Sequence, residues 1–155
     1  MVEPLDEKTR ERLRRQRRRD TRPEVALRSA LHRRGLRFRI DKKPLPKMRS
    51  RADLLFGPAK VAVFVDGCFW HCCPEHGSLP SNNREWWDAK LASNAERDRR
   101  VDRALDDAGW CVIRVWEHED PLVAAAAIAD VIAQRKQLSR GGNRPPTALI
   151  ESPTC

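Results

Sequence analysis

Five consecutive apolar residues, Val61-Ala62-Val63-Phe64-Val65, constrain this chain more than any other feature. No polar residue alternates among them, so the segment reads as a strand buried on both faces, which requires layers packed above and below a sheet. The 155 residues suffice for one such domain with a real core. Upstream, Thr21-Arg22-Pro23-Glu24 has capping-box spacing with a proline in the first turn. Ala26, Leu27, Ala30 and Leu31 then form one helical face, and Gly35 stops it. Leu36, Phe38 and Ile40 alternate with arginines, as in a half-exposed strand. Ala52 to Phe56 is a second short strand, turned by Gly57-Pro58. Downstream, residues from about 84 to 108 form one long helix with Trp87, Leu91, Ala95, Asp98, Val101 and Leu105 near one side. Trp110 to Trp116 is another strand, and Pro121 to about Gln137 an Ala-rich amphipathic helix. The order α-β-β-β-α-β-α predicts a three-layer α/β domain with a mixed sheet over residues 21–137. A polar, Arg-rich arm precedes it over residues 1–20, as a loose segment or frayed helix, and a Gly/Pro-rich tail expected to be disordered follows over 138–155.

Charge narrows the partner. Residues 1–40 hold 14 Lys/Arg against 6 Asp/Glu, a net of +8, whereas the whole chain carries +9. A basic excess confined to the first quarter suits a polyanion, most simply nucleic acid, through phosphate contacts and counterion release. The alternative is a solvated basic arm with no specific partner. No apolar run approaches the roughly 20 residues that span a bilayer, and the charged N-terminus has no apolar signal core. The expected compartment is the cytoplasm. Five cysteines, two of them adjacent, do not form a secreted disulfide framework, and in a reducing compartment such a cluster binds metal or reacts.

That cluster lies in Asp66-Gly67-Cys68-Phe69-Trp70-His71-Cys72-Cys73-Pro74-Glu75-His76-Gly77, directly after the buried strand. Zinc takes thiolate and imidazole ligands in a tetrahedron, and Cys68, Cys73 and His76 can wrap one ion. Of the four histidines, His118 follows a strand able to pair near this loop, which makes it the natural fourth ligand. Cys72 and Glu75 are weaker candidates. Phe69 and Trp70 are either core anchors or wedges for a base stack. The same choice holds for Trp86-Trp87, of which only one can face the core squarely, because helical neighbours lie about 100° apart.

Carboxylates supply the second chemical element. Asp53 lies in a short strand and Asp66 just past the next, so both can converge at one sheet edge, with Glu24 approaching from the first helix. Magnesium needs oxygen ligands of this kind, and a magnesium so held assists phosphodiester cleavage. His71 suits a general base or acid, because its ordinary pKa is near neutral.

These residues fall into a pattern that resembles the very-short-patch repair (Vsr) endonucleases. The resemblance is carried by Phe64-Val65-Asp66-Gly67-Cys68-Phe69-Trp70-His71, by Arg19-Asp20-Thr21 with Pro23-Glu24, and by Arg51-Ala52-Asp53. Asn94-Ala95-Glu96-Arg97-Asp98-Arg99-Arg100 and Gly109-Trp110 through Val115-Trp116-Glu117 continue it collinearly over roughly residues 19–118. The resemblance implies a restriction-endonuclease-like fold and an enzyme that nicks the thymine strand of a T:G mismatch on the 5′ side of that thymine. Such mismatches arise by deamination of 5-methylcytosine, so it also implies a link to a DNA cytosine methyltransferase. The expected cofactors are catalytic Mg2+ and structural Zn2+, and the expected working state is a monomer on nucleoid DNA.

By the same resemblance, Asp53 and the Val65 carbonyl bind magnesium, His71 is the catalytic histidine and Glu24 contacts metal-bound water. Phe69, Trp70 and Trp87 correspond to intercalating aromatics. Well-known members carry Thr-His where this chain has Val65-Asp66, which makes Asp66 a candidate additional magnesium ligand. Their last zinc ligand, a cysteine, corresponds to His118, so the expected zinc set is Cys68, Cys73, His76 and His118. Two other functions fit part of the pattern: a restriction-type nuclease cutting both strands, and a zinc-stabilised DNA-binding module without catalysis.

Overall fold

A computed structural model describes residues 6–16 and 19–141. The expected disorder of the tail beyond residue 141 lies outside the described residues. The elements run α1 (Glu7–Arg15), α2 (Arg22–Arg33), β1 (Arg39–Lys42), β2 (Ala52–Phe56), β3 (Val61–Asp66), α3 (Arg84–Asp107), β4 (Cys111–Trp116) and α4 (Pro121–Arg140). Part of the basic arm is therefore a regular helix, with Asp6 accepting the Thr9 N–H at 2.6 Å as its N-cap. At the other end α4 continues to Arg140, so the boundary expected at residue 137 falls inside a helix.

The sheet order is β1-β2-β3-β4. β1 and β2 pair antiparallel, as do β2 and β3, whereas β3 and β4 are parallel. The expected mixed sheet and three layers are both present. On one face Leu54, Val61, Val63, Ile113 and Val115 pack with Leu27 and Leu31 of α2 and with Ala125, Ile128 and Ile132 of α4. On the other face Leu55, Ala62, Phe64 and Val112 pack with Val101 and Leu105 of α3. β3 contributes to both clusters, which explains its unbroken apolar run.

The first strand begins later than the alternation predicted. Leu36 and Phe38 precede β1 and pack against the core from irregular backbone, with Phe38 stacked on His32 at 4.6 Å between ring centroids. Their burial is satisfied without strand pairing, so the period-two pattern overstated the strand. No helix among the described residues is long and apolar enough to cross a membrane.

A candidate nuclease centre beside a Cys/His cluster

The parallel register of β3 and β4 builds the cluster. Asp66 pairs with Trp116, so the residues two steps beyond each, Cys68 and His118, leave the sheet side by side. Cys68 Sγ lies 3.1 Å from His118 Nδ1, and Cys73 Sγ lies 3.8 Å from both His76 Nδ1 and His118 Nδ1. All four ligand atoms fall within 4.8 Å of one another. Two thiols and two imidazoles at such spacing fit a single tetrahedral zinc, with Zn–S near 2.3 Å and Zn–N near 2.0 Å. The loop is shaped to hold them: Cys73 N–H donates to the Cys68 carbonyl and Gly77 N–H to the Cys73 carbonyl. A Cβ on Gly77 would sit 2.5 Å from that same Cys73 carbonyl, so only glycine permits the turn. Cys68 N–H donates to Glu117 Oε1 at 2.7 Å, tying the loop to the end of β4. Cys72 is not part of the four-ligand group, whereas Glu75 stands behind it, its Oε2 3.6 Å from His118 Nε2.

Asp53 projects from β2, and its Oδ2 accepts the Val65 N–H at 2.7 Å, joining the two strands one pair beyond Leu54–Val63. Burial pushes the Asp53 pKa up to about 6, and the charges of Glu24 and Asp66 push the same way. A buried carboxylate held near two others is the environment that a hard cation relieves. Glu24 is itself buried and accepts from Asp20 N–H, Thr21 Oγ1 and Arg28 Nη2. This differs from a reciprocal capping box: the Thr21 hydroxyl caps no backbone group and donates to Glu24 instead.

His71 is oriented by α3. Its Nδ1 lies 2.6 Å from Asp98 Oδ2 and 3.8 Å from Asp66 Oδ1. Burial pulls the His71 pKa down, but the Asp98 hydrogen bond and the two carboxylate charges outweigh it and hold the pKa above its ordinary value. With Nδ1 donating to Asp98, Nε2 is left as the ring's acceptor. Asp66 was expected near Asp53, and its charge does act there, but both its oxygens lie 3.0 Å from Arg114 Nη1.

A cleft of about 630 Å³ brings Glu24, Val65, His71, Phe69, Trp70 and Trp86 onto one wall system. Lys90, Asn94 and Arg97 of α3 line it too, at helical spacings that put them on one face. The aromatics form a contiguous group: Phe69 lies 5.1 Å from both Trp70 and Trp87, and Trp86 lies 4.8 Å from Trp87. Trp87 is only 3 % exposed, whereas Phe69, Trp70 and Trp86 are half-buried. Trp87 is thus the buried centre of the group, and any contact it makes with DNA requires the group to open.

Sequence reasoning left Asp98, Arg114 and Asn94 without functional roles, and Trp86 with a choice between core anchor and wedge. For Asp98 a signal existed: a lone carboxylate in line with Leu91 and Val101 on the inward side of a helix calls for a buried partner. For Arg114 no local signal exists, because its partners lie 12 and 48 residues away.

The model of the family "DNA mismatch endonuclease Vsr" matches residues 3–75. The type II nicking enzyme V.NaeI of Lentzea aerocolonigenes is 49% identical over 118 residues, covering 75% of this chain and 71% of that enzyme. V.XorIIP of Xanthomonas oryzae pv. oryzae, also a type II nicking enzyme, is 42% identical over 103 residues, covering 64% and 72%. The DNA mismatch endonuclease Vsr of Escherichia coli is 39% identical over 102 residues, covering 64% and 62%. With the fold, the Cys/His cluster and these relatives in agreement, the chain belongs to the Vsr family of DNA endonucleases.

Proposed function

We propose that this endonuclease nicks the thymine-containing strand of a T:G mismatch on the 5′ side of the thymine, repairing deaminated 5-methylcytosine. The observation that carries the reading is the shared cleft: His71, Glu24 and Val65 line the same space as Phe69, Trp70 and Trp86. A T:G wobble stacks less well than a matched pair, so opening its step costs less of the few kcal/mol that unstacking demands. Phe69 and Trp70 then replace part of the lost stacking, worth roughly 1–3 kcal/mol per base. Lys90, Arg97 and the basic residues of the arm hold phosphates without reading sequence. The catalytic unit begins at residue 21 and includes α4 through Arg140, with the arm of residues 1–20 ahead of it, and one copy acts per mismatch in the cytoplasm.

In the chemical step His71 Nε2 takes a proton from water as the water oxygen attacks phosphorus. The P–O3′ bond breaks, leaving a 5′-phosphate and a 3′-oxygen that is protonated from solvent. Asp98 fixes the imidazole tautomer throughout. Asp53 and the Val65 carbonyl would hold magnesium, which when bound supplies positive charge at the phosphate. Glu24 orders water at the same edge. Cys68, Cys73, His76 and His118 would hold a zinc whose role is to fix the loop carrying His71. The relatives named as nicking enzymes favour a single-strand cut over a double-strand break, and the deamination origin of T:G links the enzyme to a DNA cytosine methyltransferase.

The test is incubation with magnesium and duplexes end-labelled on each strand, one set holding a single T:G pair and one fully matched. A cut confined to the thymine strand of the mismatched duplex is the expected result. Equal cutting of matched DNA, or of both strands, would overturn the reading.

A further inference from the structure

Arg114 lies on β4, outside the cleft, yet it holds more charge together than any group in the site. Its Nη1 contacts both oxygens of Asp66 at 3.0 Å. Its Nε contacts both oxygens of Asp102 at 3.2 and 3.0 Å, and Nη2 reaches Asp102 Oδ1 at 2.7 Å. Nη2 also stands 3.9 Å from Asp98 Oδ1. The guanidinium lies over the Phe64 ring, 4.8 Å from its centroid, and its side chain is 12% exposed. One cation thus joins the end of β3 to two successive turns of α3, and two of its three carboxylates are the pair that face His71 Nδ1.

We infer that Arg114 is a positioning residue for the nicking reaction, holding Asp66 and Asp98 so that Asp98 stays on His71 Nδ1 and Nε2 stays aimed into the cleft. The argument is one of charge and geometry. Asp66 is buried, and the positive groups in contact with it are Arg114 and, when protonated, His71. Without Arg114, Asp66 would keep His71 as its one positive contact, and Asp98 would keep His71 and the exposed Arg97, whose Nη2 lies 3.4 Å from Asp98 Oδ1. Asp66 and Asp98 would then compete for Nδ1, and the ring would no longer have one orientation. A planar fork that engages Asp66 and Asp102 at once, with Asp98 alongside, is geometry that an ammonium on a flexible stem cannot reproduce in full. An ordinary tie between strands and helix would serve stability alone. The location of this one beside the imidazole gives it a second effect.

The inference rests on His71 acting in nicking, so the experiment tests both separately. Single-turnover nicking and DNA affinity are measured on the T:G duplex for Arg114→Leu, Arg114→Lys and His71→Ala. The Nδ1–H resonance of His71 is followed in long-range 1H–15N spectra of the same proteins without DNA. Arg114→Leu should lose between about 10-fold and the roughly 10²-fold that a misplacement near 1 Å costs, with affinity unchanged within about two-fold. Its Nδ1–H resonance should broaden or vanish. Arg114→Lys, which keeps the charge and protects the fold, should recover the resonance and part of the rate. A folded Arg114→Leu or Arg114→Lys protein with wild-type rate and an intact resonance would overturn the inference, as would a rate loss matched by lost affinity. If Arg114→Leu does not fold, the Arg114→Lys rate decides: a rate below that of the parent at unchanged affinity supports the inference, and a parental rate sinks it. Wild-type nicking by His71→Ala would sink this inference together with the catalytic role of His71, whereas a dead His71→Ala beside an unimpaired Arg114→Leu sinks this inference alone.

Discussion

Asp53 is kept near the edge of ionisation by its place in the fold. Burial raises its pKa to about 6, helped by Glu24 and Asp66, while the Val65 N–H and Arg28 pull it back. The folded state therefore keeps a proton that the unfolded chain has released, and this group's contribution falls as pH rises from about 4 to about 6. Asp53→Asn removes that loss. In magnesium-free buffer the variant should be more stable than the parent by about 1–3 kcal/mol at pH 7, with the gap closing by about pH 4. Melting curves across that range check it, and a gap independent of pH would count against the burial of this carboxylate. The same variant should lose nicking by about 10²-fold or more yet bind DNA as well or better, because a carboxylate facing a phosphate repels it unless a cation intervenes. The aromatics divide along exposure. Trp87→Ala, at the buried centre, should cost about 3–5 kcal/mol of stability. Trp70→Ala, half-buried on the cleft, should melt much closer to the parent while losing its preference for T:G over matched duplex. A melting series with competition binding separates the two, and equal stability losses with preference intact would show that both are core residues.

Among the elements, the loop between β3 and α3 depends most on a partner outside itself. Three of its residues, Cys68, Cys73 and His76, complete a tetrahedral set only because the β3–β4 register delivers His118 to them. A segment this long without regular structure rarely holds a fixed shape unaided. We expect one zinc per chain by elemental analysis. His118→Ala should weaken zinc by more than the roughly 10–100-fold typical of outer-shell partners, and full retention of zinc would count against His118 as a ligand. Chelation should lower the melting temperature and abolish nicking together, since His71 rides on the same loop. α3 is the complementary element. It carries Asp98 and Asp102 to the buried side and Lys90, Asn94 and Arg97 to the cleft, so one helix both orients the histidine and lines the cleft. Its three-way division of apolar, buried ionic and exposed basic residues explains why its amphipathic pattern was readable while its function was not.

At the scale of the whole molecule, the two faces of the sheet are closed differently. α2 and α4 with the β1–β4 face form the larger apolar cluster, whereas α3 covers the other face and closes it with an ionic network at the site end. Chemistry gathers where the parallel strands β3 and β4 end, the usual place for sites in sheets with parallel pairs. Much of this was legible locally. The double-sided burial of Val61–Val65, the helical periods of residues 22–33 and 84–107 and the ligand types after residue 66 all follow from side-chain patterns a few residues wide. The collinear motifs then identified the family, and with it the roles now proposed for Asp53 and His71. What local patterns cannot contain is long-range pairing. Leu36 and Phe38 alternate like a strand but are partly buried without strand pairing. Trp86 and Trp87 are chemically identical neighbours, and only the packing of α3 against the loop buries one and leaves the other on the cleft. Asp66 was legible as a candidate metal ligand, but its pairing with Arg114 through both of its oxygens was not. Sequence alone determined the layers and the chemical types available, because hydrophobic period and ligand preference act over short stretches. Tertiary structure decided which charges meet, because an ion pair depends on angstroms of separation between residues that the chain places tens of positions apart.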